Sequence, residues 1–168
     1  MLTEITAQGR VDAAGKLIGP NGNDMGVVAF TEGPYGTIIR LDVSGLAPGW
    51  HGIHLHKVGD CSDGADGFKA SGGHVNPDGF AHGLLNPEGN HRADLVNIYA
   101  GTDGRVTAEL YREGVNLLPS EAAAAENGPF PLLDEDGFAV IIHENEDDHM
   151  TQPIGGAGGR VACAALTE

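Results

Sequence analysis

GWHGIHLHKVGD, residues 49–60, places His51, His54 and His56 within six positions. Its alternation decides the fold class. Successive side chains of an extended strand point to opposite faces, so His54 and His56 share one face while Ile53 and Leu55 take the other. The apolar face can join a core. The two imidazoles, about 7 Å apart along the other face, can close on a single metal ion. An HxH pair alone is a weak sign of metal binding. His51 has the opposite parity and follows Trp50 at the strand's start, so it is expected to be structural and bonded to backbone.

The same period of two runs outward from this stretch. ITAQGRVD (5–12), MGVVAFTE (25–32), YGTIIRLDVSGL (35–46), GRVTAELYR (104–112), FAVIIHE (138–144) and GRVACAAL (159–166) all read as strands. Turn signals separate them: DAAGK, GPNGND, EGPYG, GLAPG, TDGR and DEDG. Short strands joined by Gly-rich turns predict an all-β antiparallel sandwich or barrel. With no repeat and no linker, residues 1–168 are expected to form one domain. Residues 58–101 break the rhythm as a long Gly- and His-rich loop, and loops of that length in a compact domain usually carry function. Residues 119–131, PSEAAAAENGPFP, read as a surface insertion with room for one helical turn.

Composition narrows the function. The formal charge is −15, from 24 acidic and 9 basic residues, which argues against nucleic acid and anionic lipid as partners. No apolar run approaches the roughly 20 residues of a membrane helix. The start, MLTEITAQG, lacks a charged-then-apolar leader. A cytoplasmic protein, or a mature exported form with an added Met1, is therefore expected. Cys61 and Cys163 share no CxxC spacing, and they read equally well as two buried thiols or one disulfide. A disulfide would point to an oxidising compartment such as the periplasm.

The long loop supplies His74, His82, His91 and Asp94. Three histidines and a carboxylate suit tetrahedral zinc, and the HRAD spacing lets His91 and Asp94 reach one ion from a tight turn. His143 ends the strand FAVIIH, where alone it would be a structural strand-end histidine. So many histidines together with an aspartate are poorly explained as solvated surface.

GIHLH, SGGHVNP, HGLLNPEGNHRADL, VIIHE and GGAGGRVACAA together resemble the Cu/Zn superoxide dismutases in their bacterial form. The resemblance runs from the first strand to Cys163. It implies a Greek-key β-sandwich, a flattened eight-stranded barrel with a long metal-binding loop. It also implies copper bound by His54, His56, His74 and His143, and zinc bound by His74, His82, His91 and Asp94. His74 would bridge the two metals and carry a proton during turnover. Cys61 and Cys163 would form the family's disulfide. Asp147 would hydrogen-bond His54 and His82, Arg160 would bind the superoxide anion beside copper, and His51 would be structural. The implied activity converts superoxide to oxygen and hydrogen peroxide by copper redox cycling. An exported, periplasmic setting then becomes the expectation over a cytoplasmic one. Bacterial members pair through different surfaces or not at all, so a homodimer is allowed without being required.

The net charge conflicts with an anionic substrate. ENEDDHMTQPIGGAGG (144–159), which follows His143, has no lysine. Steering therefore falls to Arg160, with Lys57 and Lys69 in segments able to reach the rim. Asp148 and His149 are expected to be exposed. Two rivals are weaker. A copper-delivery protein would favour methionine or thiolate ligands, yet Met1, Met25 and Met150 are scattered, and a copper-only relative should lack His82, His91 or Asp94.

Overall fold

In the computed structural model, which describes residues 9–168, strands form where the period-two pattern runs through apolar and β-branched residues. They are β1 Ala13–Ile18, β2 Asp24–Glu32, β3 Gly36–Val43, β4 Gly49–His51, β5 Ile53–His56, β6 Ile98–Ala100 and β7 Val106–Glu113. The remaining strands are β8 Val115–Asn116, β9 Phe130–Pro131, β10 Phe138–His143 and β11 Arg160–Leu166. Seven of them pair antiparallel in the order β5-β10-β11-β1-β2-β3-β7. β4 continues β5 across Gly52 and pairs with β6, which enters β7 through a tight turn closed by Gly101 N–H to the Arg105 carbonyl. Counting β4 and β5 as one, the sheet curls into a ring of eight strands. The connections β3 to β4 and β7 to β10 pass over neighbouring strands, the Greek-key arrangement.

The two faces of β5 and β10 do different jobs. Ile53, Leu55, Val140 and Ile142 belong to the main core, where Phe30 and Phe138 meet edge to face at 5.2 Å. On the opposite face Ala139 and Ile141 pack with Cys163 and Phe68 in a small second cluster. Directly opposed residues of an antiparallel pair share a face. His54 lies opposite Ile141 and His56 opposite Ala139, so both histidines are on the outer face of the ring, as their parity predicts. Between β10 and β11 the register slips by one residue. Ile142 faces Ala162, but His143 faces Arg160, and this bulge brings those two residues side by side.

The sequence reading fails in two places. ITAQGRVD falls partly outside the described residues, and its remainder is irregular; the first strand lies in the supposed turn DAAGK and beyond it. Gly15 sits inside that strand because a Cβ there would press on Leu166 at 3.2 Å, so glycine marks close approach of β11 rather than a turn. β6, three residues long, hides at the end of the long loop. Residues 119–131 do contain one helical turn, α1 Glu121–Ala124, followed by β9.

The disulfide implied by the family resemblance is present, joining Cys61 to Cys163 over a sequence separation of 102. It ties the start of the long loop to β11 beside the buried Phe68. On the chain-entropy account a loop of this length contributes about 4–5 kcal/mol. Cys163→Ser is therefore expected to lower unfolding free energy by roughly that amount, read as an earlier urea midpoint with a steeper slope, because the unlinked denatured chain exposes more surface.

Candidate metal centre

The outer face of β5 and β10 and the long loop bring together His54, His56, His74 and His143, and next to them His74, His82, His91 and Asp94. Within each group the candidate ligand atoms all lie within 4.8 Å of one another, and His74 belongs to both. Its ring centre is 4.3 Å from that of His54 and 5.2 Å from that of His91.

In the first group each strand histidine has one nitrogen bonded and one bare. His54 Nε2 donates to Asp147 Oδ2 at 2.7 Å, His56 Nδ1 to the Gly72 carbonyl at 2.8 Å, and His143 Nδ1 to the Gly158 carbonyl at 3.0 Å. These acceptors fix the tautomers, so the lone pairs sit on His54 Nδ1, His56 Nε2 and His143 Nε2. Those three atoms, with His74 Nε2, are buried without a hydrogen-bond partner. Buried polar atoms are normally satisfied, and four orphaned acceptors converging on one point fit a cation. Burial, reinforced in all three by the neighbouring His74, holds the rings neutral. His56 is pushed down to about 2, by burial first and then by His74 and Arg160. His143 falls to about 3 for like reasons, and His54 to about 4 although Asp147 opposes the shift. Neutral imidazole is the form that binds metal.

The second group has tetrahedral spacing. Zinc–ligand bonds of about 2.0–2.1 Å require ligand atoms roughly 3.3 Å apart. Asp94 Oδ1 lies 2.8 Å from His82 Nδ1, 3.6 Å from His74 Nδ1 and 3.7 Å from His91 Nδ1, and the His74 and His91 Nδ1 atoms are 3.0 Å apart. Asp94 Oδ2 accepts the N–H groups of Gly83 and His91, both at 2.9 Å, which leaves Oδ1 facing the pocket. The HRAD turn closes as expected, with Asp94 N–H donating to the His91 carbonyl. Burial alone would raise Asp94, but its bonds to His74, His82 and the Gly83 N–H hold the carboxyl far below the usual range. Burial also pushes His82 down, yet Asp147 and Asp94 together outweigh it and raise the ring to about 9.

Asp147 joins the groups. Its Oδ2 meets His54 and its Oδ1 meets His82 Nε2 at 3.0 Å. Gly155 makes this possible, because a Cβ there would collide with Asp147 Oδ1. Asn97 clamps the Asp147 backbone from both sides, donating to its carbonyl at 2.8 Å and accepting its N–H at 2.9 Å. His51 is the expected brace: Nδ1 lies 2.7 Å from the His143 carbonyl and Nε2 2.7 Å from the Ala47 carbonyl. His149 departs from expectation. It is only 17% exposed, and its N–H donates to Asp147 Oδ1 at 2.7 Å, because the loop wraps around that carboxylate. Asp148 is exposed.

Sequence reasoning missed Arg112. From β7 it donates to the Arg92 and His91 carbonyls at 3.0 and 2.9 Å and to Asn90 Oδ1 at 2.6 Å, securing the loop around His91. In the sequence it is simply a polar residue of an alternating strand. Arg10, Lys16, Arg40, Arg92 and Arg105 are paired with carboxylates. Among the described residues the other four cations, Lys57, Lys69, Arg112 and Arg160, have no carboxylate within 4.0 Å.

Two adjacent four-ligand pockets sharing one imidazole on the outside of a β-ring define the class: a β-barrel protein able to hold a pair of metal ions. Residues 25–166 match the copper/zinc superoxide dismutase family, and the chain belongs to it. It is 47% identical over 147 residues to a Cu-Zn superoxide dismutase of Caulobacter vibrioides, covering 87% of this chain and 80% of that one. The crystal structure of a SOD-like protein from Bacillus subtilis superposes with a TM-score of 0.83 at 32% identity, covering 94% and 99% of the two chains. The Cu/Zn superoxide dismutase of Brucella abortus gives 0.67 at 28% identity, covering 91% and 97%.

Proposed function

We propose that this protein dismutates superoxide to oxygen and hydrogen peroxide at a copper held by His54, His56, His74 and His143. A zinc held by His74, His82, His91 and Asp94 lies beside it, with His74 as the bridge. The four orphaned, buried nitrogens converging on the copper pocket carry this reading. When bound, copper supplies the one-electron chemistry and zinc the fixed charge that orders the loop and the bridging ring. His74 Nε2, on the copper side, is the atom placed to hold a proton and pass it to the departing peroxide. Arg160 binds the incoming anion. Its Nη1 is anchored to the Phe68 carbonyl and Ser71 Oγ, while Nε and Nη2 have no partner among the described residues.

The distribution of unpaired cations supports local steering in an acidic chain. Elsewhere carboxylates pair with most of the basic residues, whereas exposed Lys57 and Lys69 and the partly buried Arg160 stand around one loop with no carboxylate within 4.0 Å. Lys57 shares a cavity of about 440 Å³ with Asp134 and Asp136, which offset it, and Asp63 acts on Arg160 from the same loop as Lys69. Activity should fall as ionic strength rises through the range where the Debye length drops from about 30 to 10 Å. A flat or rising profile would show that the net charge governs approach.

A copper-delivery role is disfavoured because both cysteines are committed to the disulfide and leave no thiolate for either group. The disulfide supports an oxidising, extracytoplasmic setting. The deciding experiment is pulse radiolysis of the copper- and zinc-loaded protein. The expected result is second-order decay of superoxide proportional to protein; a rate no faster than spontaneous dismutation overturns the reading.

A further inference from the structure

Ser71 is fully buried at the end of the 3-10 turn Lys69–Ser71. Its hydroxyl donates to the Phe68 carbonyl at 2.8 Å and accepts from Arg160 Nη1 at 3.0 Å. The same oxygen lies 3.4 Å from Nδ1 of His56, whose N–H is directed to the Gly72 carbonyl. Arg160 Nη1 also donates to the Phe68 carbonyl, at 2.7 Å. One edge of the guanidinium is thus held by a carbonyl and a hydroxyl that hydrogen-bond each other. That carbonyl is itself fixed, because the Phe68 side chain is wholly buried with Cys61 and Cys163. The β-bulge sets Arg160 opposite His143, so the held guanidinium stands between the long loop and the strand that ends in a copper-pocket histidine.

We propose that Ser71 is a positioning residue for the substrate anion: it orients Arg160 so that the unpartnered Nε and Nη2 hydrogens receive superoxide beside the copper pocket. This rests on the dismutase reading and adds a specificity element to it. Arginine loses considerable rotamer freedom when held. A buried hydroxyl whose hydrogen is committed to Phe68 can only accept from Arg160, and this second anchor on Nη1 restricts the plane of the fork. Phe68 alone leaves that plane free to rock about a single hydrogen bond. An alanine at 71 would keep the fold of the turn, whose backbone bonds run from Ser71 N–H to Phe68 O and from Gly72 N–H to Lys69 O. It would remove only the second anchor.

The test is azide titration of the copper- and zinc-loaded protein, followed by the azide-to-Cu(II) charge-transfer band, for Ser71→Ala, Arg160→Met and the double variant. Loss of one modest hydrogen bond acting through Arg160 should weaken azide binding about three- to tenfold and lower kcat/KM for superoxide by a similar factor. In the Arg160→Met background Ser71→Ala should have no further effect, because coupled residues are non-additive. The azide-free Cu(II) EPR spectrum of Ser71→Ala should match wild type. Wild-type azide affinity in Ser71→Ala overturns the proposal. So does an equal loss in both backgrounds, or an EPR change without loss of affinity, which would mean that Ser71 acts through His56. Azide binding needs copper but no turnover. A protein that binds azide with this pattern yet fails to dismutate superoxide would sink the dismutase reading alone.

Discussion

His143→Ala is expected to weaken copper binding and dismutation together while leaving zinc in place. His143 Nε2 is one of four buried nitrogens of this group with no partner among the described residues, and its ring belongs to the four-histidine group only. A four-ligand structural zinc site is worth about 10–16 kcal/mol, or about 2.5–4 kcal/mol per ligand, and copper binds imidazole at least as strongly. Losing one ligand should therefore weaken copper roughly 100- to 1000-fold. Dismutation at limiting copper should fall at least as far. The fold should survive, because the bonds to His51 and to the Gly52 carbonyl come from the His143 backbone. Chelator competition with copper and zinc read separately checks this. Equal loss of both metals would mean that the pockets do not act as distinct sites.

Much of this centre was legible in the chain, and the reason is local. Strand parity put His54 and His56 on one face with no knowledge of their partners. The HRAD turn linked His91 to Asp94 over three residues. What stayed hidden depends on contacts between distant segments. Arg112 looks like any exposed position of an alternating strand until the loop carrying His91 folds over it. Gly155 reads as one more flexible glycine, although its missing Cβ is what admits Asp147. His149 follows an acidic run and suggests solvent, yet the loop folds inward around the Asp147 carboxylate. The DAAGK strand was misread because Gly15 answers to β11 rather than to its own neighbours.

Asp147→Ala carries the second large expectation, and it should separate the two metals by the rigidity of their ligands. The carboxylate accepts from His54 Nε2 and His82 Nε2, and removing it strands two buried ring N–H groups. Partners of this kind are worth about 10- to 100-fold in metal affinity. The two rings do not depend on Asp147 equally. His54 stands on β5, which is laddered to β10 and packed by neighbours that leave the side chain no exposure. Its ring keeps nearly the same orientation without Asp147. His82 is equally buried but lies on irregular backbone, held by Gln152 and Asn86 at its main chain, and among the described residues its ring nitrogens bond only Asp94 and Asp147. Asp94 reaches the Nδ1 that a bound zinc would take, so it would not hold the ring in the zinc-loaded protein. Asp147→Ala should therefore lower zinc affinity toward the hundredfold end and copper affinity toward the tenfold end. Chelator competition checks this, with Co(II) placed in the zinc pocket so that its visible bands report loss of tetrahedral geometry. Copper falling further than zinc would mean that the loop, and not β5, is the more rigid support of the centre.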